Sequence, residues 1–265
     1  MYKYIWLCLV VYWLVACSQP PTPNKDVVAL LSYQANLQSQ QALSLNETTY
    51  NKLIYLSFAP STGKLDVEIE FNYWDTDTVS LFQGEAGRPG VLVRDLIFDG
   101  HRWRLANNFL LDQAQIEQLQ QGRLYIESRN RYQNQLRIRG QILLPEIELY
   151  AATLAPMLLN SGINYRAKAF FTYDPKTEQL FSHTQFFNLH DISIDSLQLH
   201  DGSAKRALVG AYSVDTNDAL HYHLMQAVFT NEQLQSLRDG QMEIQAHTSS
   251  NSIQGFFQAL IPSEP

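Results

Sequence analysis

At 265 residues the chain is long enough for two ordinary domains, and a 45% hydrophobic content supports real cores and is too high for a disordered polymer. A formal net charge of −7 argues against a nucleic-acid groove and against a polybasic lipid contact, both of which need a basic surface. The only two cysteines, Cys8 and Cys17, lie in the first 17 residues, so the body has no internal disulfide and no thiolate metal site.

Residues 1–16 read as a signal peptide. Lys3 is the single charge, and Ile5 to Ala16 is apolar over a length too short for a comfortable membrane span. The run ends in Leu14-Val15-Ala16-Cys17, which resembles the bacterial lipobox. That resemblance implies a diacylglyceryl group on the Cys17 thiol, cleavage before Cys17 and acylation of the new amine. Two or three acyl chains hold a protein stably at a bilayer where one would be marginal. Ser18, in place of the aspartate that favours inner-membrane retention, implies the outer membrane. Residues 17–27, with Pro20, Pro21 and Pro23, read as an extended tether reaching roughly 3 Å per residue.

Residues 28–146 read as the first domain. Leu53 to Phe58 is a strand, followed by a turn cluster from Ala59 to Gly63. Leu65, Val67, Ile69 and Phe71 then alternate with Asp66, Glu68, Glu70 and Asn72, a half-buried strand paired across that turn. Val79 to Phe82 leads into a segment with Gly84, Gly87, Pro89 and Gly90. It reads as a loop and not a phosphate cradle, because no helix start and no Lys-Ser or Lys-Thr pair follows. Strand character resumes at Val91 to Val93 and Asp95 to Phe98. The one predicted helix spans 113–121, with Asp112 as N-cap, Gln115 completing a capping box, Ile116 and Leu119 on one face, and Gly122 as the stop. Leu124 and Ile126 then point one way, and Leu136 to Leu143 forms a closing strand before Pro145.

The same segment recurs in residues 147–263. A shift of 118 carries Asp112 to Thr230, Gln115 to Gln233, Leu119 to Leu237, Gly122 to Gly240 and Arg88 to Arg206. A shift of 115 relates Pro60 to Pro175 and Gly140 to Gly255, and three-residue changes fall in loops, where they cost little. The link from Leu144 to Leu159 has no Gly/Ser-rich spacer, so the two copies are expected to pack as a rigid pair.

The doubled motifs resemble the chordin-type (CHRD) domain. The matching residues are Leu119-Gln-Gln-Gly122, Tyr125 and Ile138-Arg139-Gly140-Gln141 in the first copy, and Leu237-Arg-Asp-Gly240, His247-Thr248 and Gly255 in the second. His200-Asp201-Gly202 matches the end of that family's His-x-His-Gly stretch. The departures are Ser80 and Phe82 at the two His positions of the first copy, Arg129 where its third His belongs, and Gln198 in the second copy. The resemblance implies an all-β protein of two tandem immunoglobulin-like, Greek-key β-sandwich domains, each with one short helix. It carries no general activity.

Six of the seven histidines lie in the second copy. His200 and His247 fall on the polar faces of two strands and could meet if those strands are neighbours. His221 and His223 have the spacing that puts two imidazoles on one side of a strand, as copper and zinc sites do. A hydrogen-bonded polar sheet face explains the same pattern. Asp66, Glu68 and Glu70 could be paired carboxylates, although alternation alone accounts for them. Tyr73, Trp74, Phe82, Trp103 and Tyr132 could form a protein or carbohydrate contact, or simply pack. The chain lacks a Gly-x-Ser-x-Gly elbow, a His-Glu-x-x-His pair and a Walker pattern. The expectation is therefore a non-catalytic, lipid-anchored envelope module with a protein or glycan partner and no nucleic acid. The alternative is a copper- or zinc-binding or redox module built on His200, His221, His223 and His247.

Overall fold

The structure, a computed structural model, describes residues 29–42, 50–71, 76–130, 136–156, 165–188, 193–202, 208–215, 218–224, 229–249 and 251–261. The signal peptide, Cys17, the tether, Tyr73, Trp74 and Tyr132 lie outside the described residues. The described residues are all-β, with two short α-helices and one 3-10 turn.

In the first half, β1 (Leu31–Gln38) pairs antiparallel with β2 (Asn51–Ala59), and β2 turns at Ala59–Gly63 into β3 (Lys64–Asp66). This is the hairpin expected from the alternating pattern, and Leu65, Val67, Ile69 and Phe71 are all buried. β5 (Thr78–Gln83) lies between β6 (Val91–Asp95) and β9 (Leu124–Asn130), while β10 (Leu136–Ile142) joins β9 to β1. A small second sheet sets β8 (Trp103–Arg104) between β4 (Glu68–Ile69) and β7 (Ile97–Phe98). β3 runs into β4 across Val67, and β6 runs into β7 across Leu96, so this small sheet bridges the two edges of the large one. The strands form a ring.

The second half completes the same ring with hydrogen bonds. Its strands are β11 (Glu148–Pro156), β12 (Arg166–Asp174), β13 (Gln179–Phe187) and β14 (Ser196–His200), then β15 (Leu208–Asp215) and β16 (Asp218–Leu224). β17 (Glu243–His247), β18 (Ser252–Phe256) and β19 (Gln258–Ile261) complete it. The sheet order is β12-β13-β16-β15-β14-β17-β18-β11-β19, and β11 also pairs with β12. Each long edge of β11 is therefore occupied, by β12 on one side and by β18 and β19 on the other. Closure is the difference from the expected sandwich: pairing runs around the barrel instead of ending at the edges of two stacked sheets. Register agrees between the halves, since Phe82 faces Tyr125 as His200 faces Glu243, and Thr78 faces Arg129 as Ser196 faces His247.

The repeated segment supplies the lids and the seams. α1 (Gln113–Gln120) and α2 (Asn231–Arg238) both start in full capping boxes. The Gln115 amide donates to Asp112 Oδ1 at 2.8 Å, and the Gln233 amide donates to Thr230 Oγ1 at 3.3 Å. Each cap of this kind stabilises by about 1 kcal/mol. Leu119 and Leu237 reach zero exposure in their respective cores, worth roughly 2–3 kcal/mol each. The closing glycines mark a close approach of strands. A Cβ at Gly255 would sit 2.5 Å from the Thr153 carbonyl of β11, and one at Gly140 would meet Leu37 Cδ2 at 2.8 Å.

The two barrels share an interface. Two outward residues of β12, Lys168 and Phe170, are buried because the first barrel covers them. Lys168, 1% exposed, donates to the carbonyls of Ser39, Gln40 and Ala42 at 3.2–3.4 Å, in the turn after β1. Asn36 and Gln38, outward on β1, both donate to the Leu260 carbonyl, at 2.7 and 3.3 Å. Leu143, Ile147, Leu149, Phe170 and Leu260 form an apolar cluster where the copies join.

Candidate functional site

The loop from Gly84 to Gly90, read from sequence as a simple connection, forms part of the joint. It is gripped from below by Arg139 of the Ile-Arg-Gly-Gln motif. Arg139 is 1% exposed and donates to the carbonyls of Glu85 and Arg88 at 2.6 Å each, and to Gln141 Oε1 at 3.1 Å. Gln141 in turn donates to the carbonyls of Gly84 and Gly122. The guanidinium lies 3.4 Å from the Tyr125 ring centroid, Tyr125 stacks on Phe82 at 5.2 Å and 9°, and Arg129 caps Phe82 at 5.5 Å. This four-layer stack of cations and rings runs along the outer face of the first barrel. Burial pushes the Arg139 guanidinium down to about 10, so it is still charged at neutral pH. The second copy has Gln254 and Phe256 at the matching positions, so it lacks this arginine and glutamine.

The gripped loop projects Gly87 onto the second barrel. Gly87 sits at φ +82°, and a Cβ there would lie 2.5 Å from Phe170 Cδ2 and 3.1 Å from His183 Cδ2. Beside this contact the barrels leave a cleft of about 600 Å³. The first barrel contributes Glu85 and Ala86 of the loop and residues Gln120 to Arg123 at the end of α1. β12 contributes Phe170, Thr172 and Asp174, and β13 contributes the segment from Leu180 to His183. Phe181 is 57% exposed here, an aromatic face turned to solvent from a strand whose neighbour His183 is buried. Among the described lining residues the only lysine or arginine is Arg123, which pairs with Glu85 at 3.2 Å. Asp174 accepts from the Lys176 amide at 2.9 Å and from Thr177 Oγ1 at 2.7 Å, which fixes its carboxylate. Ser182 shares a hydrogen bond of 2.9 Å with the Tyr212 hydroxyl.

His200 and His247, expected to meet if their strands are neighbours, lie apart along those strands. β14 and β17 are indeed neighbours, but His200 faces Glu243 and His247 faces Ser196. Four residues along a strand separate them by about 13 Å. His221 and His223 lie on β16 opposite Gln185 and His183 of β13. Among the described residues no group of three or more His, Cys, Asp or Glu is placed to hold a metal ion. The acidic strand is a charged outer face, with Arg102 bound to Glu68 at 2.7 Å and to Glu70 at 3.2 Å, and Lys64 bound to Asp66 at 2.8 Å.

Sequence reasoning missed one buried charge centre. Glu148, 1% exposed at the start of β11, accepts from Arg238 Nη2 at 2.7 Å and Nε at 3.2 Å, and from the Tyr150 hydroxyl. Burial and that hydrogen bond raise the Tyr150 phenol far above its ordinary value. The first copy has Gln120 at the position of Arg238, so the pair belongs to the second barrel alone. Arg238 in the last turn of α2 was a visible signal, but its carboxylate partner lies 90 residues away.

The described residues thus form an all-β protein of two similar barrels with a cleft of about 600 Å³ at their junction. No protein family, no curated protein and no solved structure matches the chain.

Proposed function

We propose that this chain is a lipid-anchored envelope protein in which two chordin-like barrels act as one non-catalytic binding module. The cleft between them is the binding site. The observation that carries the reading is the construction of the joint. A buried arginine fixes the loop that sets Gly87 against Phe170, a buried lysine bonds across the joint, and a cleft of about 600 Å³ is left at the seam. That volume is in the usual range for small-ligand sites, which favour the junctions of domains. The lipobox-like Leu14-Val15-Ala16-Cys17 supplies the anchor, and the proline-bearing segment after it holds the module off the outer-membrane surface.

The anchor is tested by metabolic labelling with radioactive palmitate and by fractionation. The wild-type chain incorporates label and sediments with outer membranes, while Cys17→Ser is unlabelled and leaves the membrane fraction. A Cys17→Ser protein that still sediments with membranes and carries label would sink the reading.

A further inference from the structure

We propose that the inter-barrel cleft binds a neutral saccharide chain, with the exposed ring of Phe181 as its stacking face and Gln120, Gln121 and Thr172 as its hydroxyl-reading groups. This rests on the binding-module reading and names the ligand class of its site.

Three observations point to that chemistry. The first is charge. The lining residues Glu85, Arg123 and Asp174 carry one positive and two negative charges, and Arg123 is paired with Glu85 at 3.2 Å. A phosphate or carboxylate ligand would enter without a cation to meet it, so anions are disfavoured. The second is the polar inventory. Amides at Gln120 and Gln121 and the hydroxyl at Thr172 provide both donors and acceptors around one opening. A sugar hydroxyl is itself both donor and acceptor, so a mixed set fits it better than it fits a ligand of one polarity. The third is the wall. Phe170, Ile147 and Ala86 close one side, and Phe181 stands 57% exposed at the cleft. The face of an aromatic ring is electronegative and its complement is a layer of polarised C–H groups, which one side of a pyranose presents.

The cleft is made by the end of α1 meeting β12 and β13, so the two copies contribute different elements to it.

The test is calorimetric titration of detergent-solubilised full-length protein with neutral tetrasaccharides, one glucose-based and one N-acetylglucosamine-based. A uronic-acid tetrasaccharide and an uncharged octapeptide are run beside them. The expected result is binding of a neutral saccharide, weakened about tenfold by Phe181→Ala, the equivalent of ~1.4 kcal/mol, and weakened in the same direction by Gln121→Ala. Tyr55→Ala removes an aromatic ring that is 63% exposed on β2, away from the cleft, and should leave binding unchanged. Unchanged far-UV circular dichroism and urea midpoints for Phe181→Ala show that the fold is retained. The proposal is overturned if neither neutral saccharide binds at millimolar concentration, if the uronic acid or the peptide binds instead, or if Phe181→Ala leaves affinity intact. Failure here with Cys17-dependent labelling preserved removes the saccharide assignment alone. Loss of that labelling removes the anchored-module reading on separate grounds.

Discussion

The Glu148–Arg238 pair gives the sharpest energetic prediction. Replacing Arg238 with Met keeps most of the stem and removes every charged donor to Glu148. The carboxylate is then left 1% exposed, with only the Tyr150 hydroxyl of its present donors. Breaking a fully buried pair costs roughly 3–5 kcal/mol because the remaining charge is stranded. The Arg238 side chain is 40% exposed, so water can reach the vacated side, and the expected loss falls to about 2 kcal/mol. In a protein of this size that lowers the melting temperature by roughly 4–8 °C. Glu148→Leu with Arg238→Met removes both charges and should return stability to within about 1 kcal/mol of the wild type. The assay is urea unfolding followed by far-UV circular dichroism. Trp74 and Trp103 are the only tryptophans after residue 16 and both belong to the first domain, so fluorescence of the processed chain reports the first barrel and its difference from the dichroism isolates the second. A single mutant as stable as the wild type, or a double mutant less stable than the single, would refute the reasoning.

Two further outcomes follow from the joint and the cores. Gly87→Ala should cost about 1–3 kcal/mol, since it adds backbone strain at φ +82° and a Cβ 2.5 Å from Phe170. Combining it with Phe170→Leu in a double-mutant cycle should recover the steric part and leave the backbone part, and strict additivity would exclude the contact. At alkaline pH, Tyr125, Tyr150 and Tyr212 all have phenols raised above 10, with burial the largest cause in each. The folded state thus holds these protons more tightly than the unfolded chain. Their contribution is complete below pH 10 and is lost as pH rises through the folded values. Absorbance at 295 nm should show these phenols ionising late and together with unfolding, whereas simple independent titration near pH 10 would contradict the burial argument.

What could be read in the sequence was local or periodic. Asp112 with Gln115, and Thr230 with Gln233, announce their caps because a capping box is complete within four residues. Leu65 to Phe71 announces its inward face because a strand alternates. The repeat announced two similar units. Closure of each unit was not legible, since it depends on the first strand meeting the last, which no local pattern encodes. The site was less legible still. Lys168 sits between Ala167 and Ala169 in the pattern of a solvated strand face, and only the docked first barrel turns it into a buried donor. His200 and His247 were placed on the correct strands, but register sets their spacing, and no residue in either strand fixes register by itself. Arg139 was visible as part of a family-like motif, while its grip on the Glu85 and Arg88 carbonyls belongs to tertiary structure.

Closure of the second ring also orders events in time. Leu149 pairs with Ile261, more than a hundred residues later in the chain. A chain emerging from its N-terminus cannot complete this barrel until almost its last strand has been delivered. Contacts of such long sequence separation fold slowly, because loop-closure entropy must be spent before they form. Until then β11 has one hydrogen-bonding edge open, a template for any other extended chain nearby. The seam formed by β18 and β19 therefore works as a late-acting clasp. Loss of a few residues at the end of β19 would expose the first strand of the ring and turn a closed barrel into an adhesive one.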